Sequence, residues 1–206
     1  MSEPSRPLGG KVAIVTGAGR GAGRAAALAL GAAGASICAG DINPDRAEQA
    51  AQDIRAGGGT AFGWQADISN KFQVAGLIET TRDHYNRLDI LVQHAQIDPP
   101  RDALTLDEWE WRRVLEVNLT GSFFCMQLAA RVMADEGGGL IALLIRPSGA
   151  GSSAAYAATQ AGMSALAGAL AAEWAGKGVL VAGIDATDAD QAVRALMGWV
   201  ENKSAQ

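Results

Sequence analysis

The chain has 206 residues, 49% of them hydrophobic, and a net charge of −5. This suffices for one sizeable core, so a single domain over residues 1–206 is expected, and the acidic balance argues against nucleic acid or an anionic membrane surface as partner. The two cysteines, Cys38 and Cys125, lie far apart and offer neither a disulfide framework nor a metal-binding spacing, so no metal is expected and a reducing compartment is.

The N-terminal MSEPSRPLGG lacks the basic-then-apolar pattern of a signal peptide, and no apolar run is long enough to cross a membrane. A cytoplasmic protein is expected. The first element is a strand over 11–16, followed by Thr16-Gly17-Ala18-Gly19-Arg20-Gly21-Ala22-Gly23 and an alanine-rich helix over 22–33. Glycines in this pattern let the backbone turn off a strand and approach a pyrophosphate, which the N-terminus of the following helix then receives. The second strand, 36–41, ends on Asp41. A carboxylate there accepts hydrogen bonds from both ribose hydroxyls of a bound dinucleotide and repels a 2′-phosphate, whereas Arg20 would attract one. The balance favours NAD over NADP. As an alternative, Asp41 would cap the helix that starts at Pro44.

That helix spans 44–56 and stops at Gly57-Gly58-Gly59; a strand over 60–66 follows, then a helix over 70–86 and a fourth strand over 88–93. Asp67, after the third strand, falls at the adenine edge of the crevice or else helps to cap the next helix. His94 leaves the fourth strand at the cofactor edge, where it would titrate near neutrality. Residues 102–136 read as helical, Gly137-Gly138-Gly139 ends them, and a buried strand runs over 140–145. The loop from Arg146 to Ser153 leads into a helix over 154–174, on which Tyr156 and Gln160 share a face. A strand over 179–184 and a final helix with Ala189, Ala192, Val193, Leu196, Met197 and Val200 on one face complete the chain. The alternation gives an α/β fold: a doubly wound parallel sheet of about six strands, order 3-2-1-4-5-6, with helices on both faces.

The Thr-Gly-x-x-x-Gly-x-Gly loop at 16–23, Asp41, Asp67, Trp111 to Asn118 reading WRRVLEVN, and the Tyr156 helix together resemble the short-chain dehydrogenase/reductase family along almost the whole chain. The resemblance implies a Rossmann sheet and a nicotinamide dinucleotide, with cofactor contacts from Gly17, Gly19, Arg20, Gly21, Gly23, Asp41, Asp67, Ile68, Ala95 and Gln160. It also implies a catalytic set of Asn, Ser, Tyr and Lys, of which Asn118 and Tyr156 match. Gln160 stands at the lysine position and supplies no positive charge to lower the tyrosine pKa, ordinarily about 10. The serine position falls on Arg146 counted from the fifth strand and on Leu143 counted back from Tyr156, so the loop is short. Ser148, Ser152 or Ser153 would substitute only if the backbone moves.

Arg146 is the other candidate: a guanidinium reaching Tyr156 would replace the lost charge, while a solvated loop arginine is the alternative. The family's Asn-Asn-Ala-Gly reads Gln93-His94-Ala95-Gln96, and its Pro-Gly, substrate lid and last strand are absent. Two functions follow from the residues. One is an NAD(H)-dependent oxidoreductase acting on a small carbonyl or alcohol through a rearranged site. The other is a non-catalytic dinucleotide-binding homologue serving as a structural or regulatory subunit, paired with an active relative. Ala157, Ala161, Ala165 and Gly168 form a small-residue stripe suited to helix–helix contact, so a homo-oligomer, most simply a dimer, is expected.

Overall fold

The computed structural model describes residues 6–100, 102–149 and 152–204. Six parallel strands, β1 (Val12–Thr16), β2 (Ser36–Asp41), β3 (Thr60–Gln65), β4 (Ile90–Gln93), β5 (Gly139–Ile145) and β6 (Val179–Asp185), form one sheet in the order β3-β2-β1-β4-β5-β6. β1, β4, β5 and β6 form from short runs rich in Val, Ile and Leu, as suits strands of a parallel sheet covered on both faces, whereas the edge strand β3, TAFGWQ, is largely exposed or half-buried. Successive residues then feed opposite cores. Ala13 and Val15 pack on one side of the sheet and Ile14 on the other.

The first side is covered by α1 (Gly21–Ala32), α2 (Pro44–Ala56) and α7 (Ala189–Ser204). On α7 the face expected from the sequence is the one that packs, with Ala192, Leu196 and Val200 buried. The second side is covered by α3 (Lys71–Tyr85), α5 (Ser122–Asp135) and α6 (Ala154–Trp174), which bring Leu77, Met126, Met163 and Leu170 to the core. No helix among the described residues is long and apolar enough to cross a membrane, and no cluster of potential metal ligands occurs among them. Both cysteine thiols are buried, which pushes their pKa up to about 12.

The helical reading of 102–136 is corrected at its start. Residues 102–107 form turns, in which the Asp102 carboxylate accepts from Leu104 N, and helix begins only after Asp107, whose side chain accepts from Glu110 N. Two aspartates five residues apart each offer a local acceptor that competes with the helix. The helix then runs as α4 (Glu108–Leu115), one widened π turn over Glu116–Gly121, and α5. At Gly121 a side chain would stand 2.9 Å from the Ile68 carbonyl oxygen, so the glycine lets this bend press against the chain leaving β3.

Strand order reverses between β1 and β4, and at the carboxyl ends of the strands on either side of this switch point the sheet opens a crevice. A cavity of about 530 Å³ occupies it, lined by residues at or just beyond the ends of all six strands, among them Thr16, Asp41, Asp67, His94, Arg146 and Ala186.

Candidate active site

The turn between β1 and α1 is built for close approach. Gly17 has φ +65°, and a side chain there would meet the Ala95 Cα at 2.9 Å; at Gly23 it would lie 2.4 Å from the Gly17 carbonyl oxygen. No side chain caps α1, so its first N–H groups are open to a ligand. Above the exposed Gly21 there is room, since an added Cβ would meet only His94 Nε2 at 3.6 Å. An uncapped helix start beneath open space at the switch point fits a pyrophosphate. Asp41 is buried at the tip of β2, accepting from Gly19 N on Oδ2 and from Asn43 N on Oδ1, each at 3.0 Å. It does not cap α2; Asn43 does, accepting from Arg46 N. Arg20 and Arg46, both exposed, line the cavity on either side of Asp41.

Asp67 is likewise not a helix cap, a role taken by Asn70. Its carboxylate accepts from Ser69 N and Oγ and from Arg113 Nη2 at 3.0 Å. Burial pushes its pKa up, but these hydrogen bonds and the Arg113 charge together outweigh it and hold the carboxyl below the usual range. Ile68, buried, and Ala95, half-buried, also line the cavity.

One buried hydroxyl ties the glycine loop to the chain leaving β4. Thr16 Oγ1 donates to Gln93 Oε1 at 2.6 Å and accepts from His94 N and Ala95 N at 3.1 and 3.3 Å. Gln93 Nε2 in turn donates to Ser122 Oγ. Asn118, in the π turn, holds the next stretch: its side chain accepts from Ile97 N and donates to Ile97 O, both at 2.8 Å, and donates to Thr159 Oγ1. It is buried and does not line the cavity. The His94 ring packs against the first turn of α1, and its Nδ1 is buried without a hydrogen-bond partner among the described residues. Burial, reinforced by the Arg20 and Arg146 cations, lowers its pKa to about 4. The expectation that it titrates near neutrality is thereby corrected.

At the far end of the cavity, the N-cap Ser153 fixes α6 and with it Tyr156. The Arg146 guanidinium reaches it: Nε donates to the tyrosine hydroxyl at 3.1 Å, and the guanidinium carbon lies 5.1 Å from the ring centroid. The same hydroxyl lies 3.3 Å from Gln96 Oε1 and from the Arg146 carbonyl oxygen, two acceptors for its proton. Gln160 accepts from Arg146 N and donates to Gln96 Oε1 at 3.0 Å, closing a ring of polar groups around Tyr156. Burial raises the Tyr156 pKa above its ordinary value; the Arg146 hydrogen bond and charge oppose this without reversing it.

None of the three serines stands beside the tyrosine hydroxyl. Ser153 caps α6 and donates to Asp98, Ser152 Oγ accepts from Gly149 N, and Ser148 is exposed outside the cavity lining. Gln96, Asp98, Arg46 and Arg113 were not singled out from the sequence as site residues. For Gln96 the signal was present, as a long side chain where a glycine was expected.

The short chain dehydrogenase family model matches residues 11–195. A 3-oxoacyl-[acyl-carrier-protein] reductase of Synechocystis is 35% identical over 178 residues, 84% of this chain and 72% of that protein. A D-threitol dehydrogenase of Mycolicibacterium smegmatis is 34% identical over 185 residues, 87% of this chain and 70% of that protein. Among solved structures, a hydroxysteroid dehydrogenase from Escherichia coli superposes with a TM-score of 0.81 at 32% identity, covering 88% of this chain and 75% of the other.

Proposed function

The chain belongs to the short-chain dehydrogenase family, a family that binds a nicotinamide dinucleotide, and we propose that it is an NAD(H)-dependent reductase of small carbonyl compounds in which Tyr156 and Arg146 work as a pair. The observation that carries this reading is the 3.1 Å hydrogen bond from Arg146 Nε to the Tyr156 hydroxyl, in the same cavity as the glycine loop and Asp41. The open N-terminus of α1 would hold the pyrophosphate and Asp41 the adenosine ribose, where its charge would favour NADH over NADPH in spite of Arg20 and Arg46. Gln160 is buried and engaged with Arg146 N and Gln96 Oε1, so it would hold the ring around Tyr156 rather than meet the nicotinamide ribose directly.

When bound, NADH supplies the hydride that the carbonyl carbon takes up. Tyr156 accepts the Arg146 N–H, and its own proton would turn from Gln96 Oε1 or the Arg146 carbonyl oxygen to the substrate carbonyl oxygen. Because burial raises its pKa, the phenol is protonated at neutral pH. It is therefore an acid ready for the alkoxide that reduction creates, and a poor base for the reverse reaction. As the proton leaves, the Arg146 cation meets the new phenolate charge, a contact stronger in the transition state than before it. Solvent then reprotonates Tyr156. Reduction accordingly runs at full rate through neutral pH and falls as pH rises past the tyrosine pKa.

A second reading, the non-catalytic dinucleotide-binding subunit, is favoured by the complete burial of Tyr156, at 0% exposure. Calorimetric titration with NADH and NADPH, followed by a panel of carbonyl compounds monitored at the nicotinamide absorbance, separates the two. Turnover supports the reductase; tight NADH binding without turnover supports the subunit. For assembly, the exposed Ala161, Ala165 and Gly168 face of α6 supports a homodimer. Ala165→Glu is expected to halve the mass measured by light scattering, and an unchanged mass would remove this helix from the contact.

A further inference from the structure

Arg146 has more donors than the tyrosine uses. Nε is committed to Tyr156, and Nη2 reaches Asp98 Oδ2 at 3.3 Å. Among the described residues Nη1 has no hydrogen-bond partner, and the side chain is 48% exposed where it lines the cavity. Asp98 does not depend on this arginine: its Oδ1 accepts from Ser153 N and Oγ at 3.2 and 3.1 Å, at the start of the 21-residue α6, whose dipole favours an anion. Arg146 can therefore turn its outer edge to a ligand while Asp98 stays compensated. Among the described residues no other carboxylate contacts Arg146, and the nearby His94 is held neutral.

A guanidinium edge presents parallel N–H donors in the geometry that a carboxylate accepts, and pairs of this kind are among the strong hydrogen bonds. The reacting carbonyl oxygen must at the same time lie within about 3 Å of the Tyr156 hydroxyl. Both ends of the substrate are thus held by groups already in mutual contact. We propose that the outer edge of Arg146 seats a substrate carboxylate, so that the preferred substrates are 2- or 3-oxo acids, reduced to the corresponding hydroxy acids. The inference rests on the reading of Tyr156 as proton donor to a carbonyl; the carboxylate itself is unchanged in the reaction, and hydride and proton go to the carbonyl carbon and oxygen as above.

The test is calorimetric titration of the full chain, with and without NAD⁺, using 2-oxobutanoate, acetoacetate and neutral butanone as probes, so that no turnover interferes. The wild type is expected to bind at least one of the acids tenfold or more tighter than butanone, Arg146→Gln to lose the preference, and Arg146→Lys to keep part of it. Asp98→Asn, which removes the competing acceptor charge, is expected to tighten acid binding severalfold and stands in if Arg146→Gln fails to fold. Equal affinity for acids and ketone, or a preference that survives Arg146→Gln, overturns the inference, as does an Asp98→Asn variant that binds acids no better. NADH-dependent reduction of the same probes reports on the parent reading separately. Turnover of butanone without acid preference sinks the carboxylate seat alone. Arg146-dependent acid binding with no turnover of any probe sinks the reductase reading and leaves the seat standing.

Discussion

Lowering the pH protonates His94 in the unfolded chain well before it does so in the folded one. Burial, with the Arg20 and Arg146 cations beside the ring and only Asp41 opposing, takes the imidazole from 6.5 to about 4. Among the described residues Nδ1 has no hydrogen-bond partner to stabilise a second N–H. Between these two values the unfolded state binds more protons, so stability rises with pH across the window and is lost as pH falls through it. A drop from 6.5 to about 4, at ~1.4 kcal/mol per unit, amounts to about 3 kcal/mol. Urea unfolding of wild type and His94→Asn from pH 7.5 to pH 4 isolates the effect, because the carboxylates titrate in both proteins. Wild type should lose about 3 kcal/mol more than the variant over that range. Stability curves that stay parallel, or an imidazole NMR titration of His94 centred near 6.5, would refute the reasoning, and a His84→Gln background removes the other histidine signal.

Other expectations follow from single contacts. Arg146→Gln removes a charge-assisted hydrogen bond worth about 1.5–3 kcal/mol, taken near its lower end because the side chain is half exposed, so kcat for a neutral ketone should fall roughly 10- to 30-fold; an unchanged kcat would separate Arg146 from proton transfer. Thr16→Val keeps the shape of the strand end but leaves Gln93 Oε1 and the amides of His94 and Ala95 without their partner. It should cost about 2–4 kcal/mol in urea unfolding and weaken NADH binding, and a cost below about 1 kcal/mol would show that the linkage is dispensable. Asp41→Ser should shift the NADPH-to-NADH affinity ratio by tenfold or more towards NADPH in calorimetry, and a constant ratio would relocate the discrimination to Arg20 and Arg46.

The central strands were legible because a strand buried on both faces must be apolar throughout, and the helices because the glycine runs at 57–59 and 137–139 mark stops. Residues 102–107 misled because helical spacing of apolar residues continues through a turn held by Asp102, and only the side-chain hydrogen bonds decide between the two. In the site, the glycine loop and Asp41 could be read from spacing, since each sits at a fixed distance from a strand end, while Tyr156 was marked by the family resemblance. The Arg146 contact was legible only as one of two alternatives, beside a solvated loop arginine. It depends on how the backbone turns after β5 and on a long side chain folding back across the Tyr156 ring, neither of which leaves a periodic trace. Gln96 shows the same limit: the sequence marks it as a lost glycine, whereas the fold uses its amide oxygen between Tyr156 and Gln160.

The α6 helix carries Tyr156 and Gln160 on its buried side and Ala161, Ala165 and Gly168 on its outer side. An α-helix is stiff over this length, so a load applied to the outer stripe is delivered to the tyrosine without being absorbed on the way. A second subunit seated on that stripe would act as a backstop, fixing the depth at which the hydroxyl sits behind Arg146. In the proposed homodimer, protein concentration would thereby bear on how firmly Tyr156 is held, with dilution loosening it before any residue of the cavity has been touched.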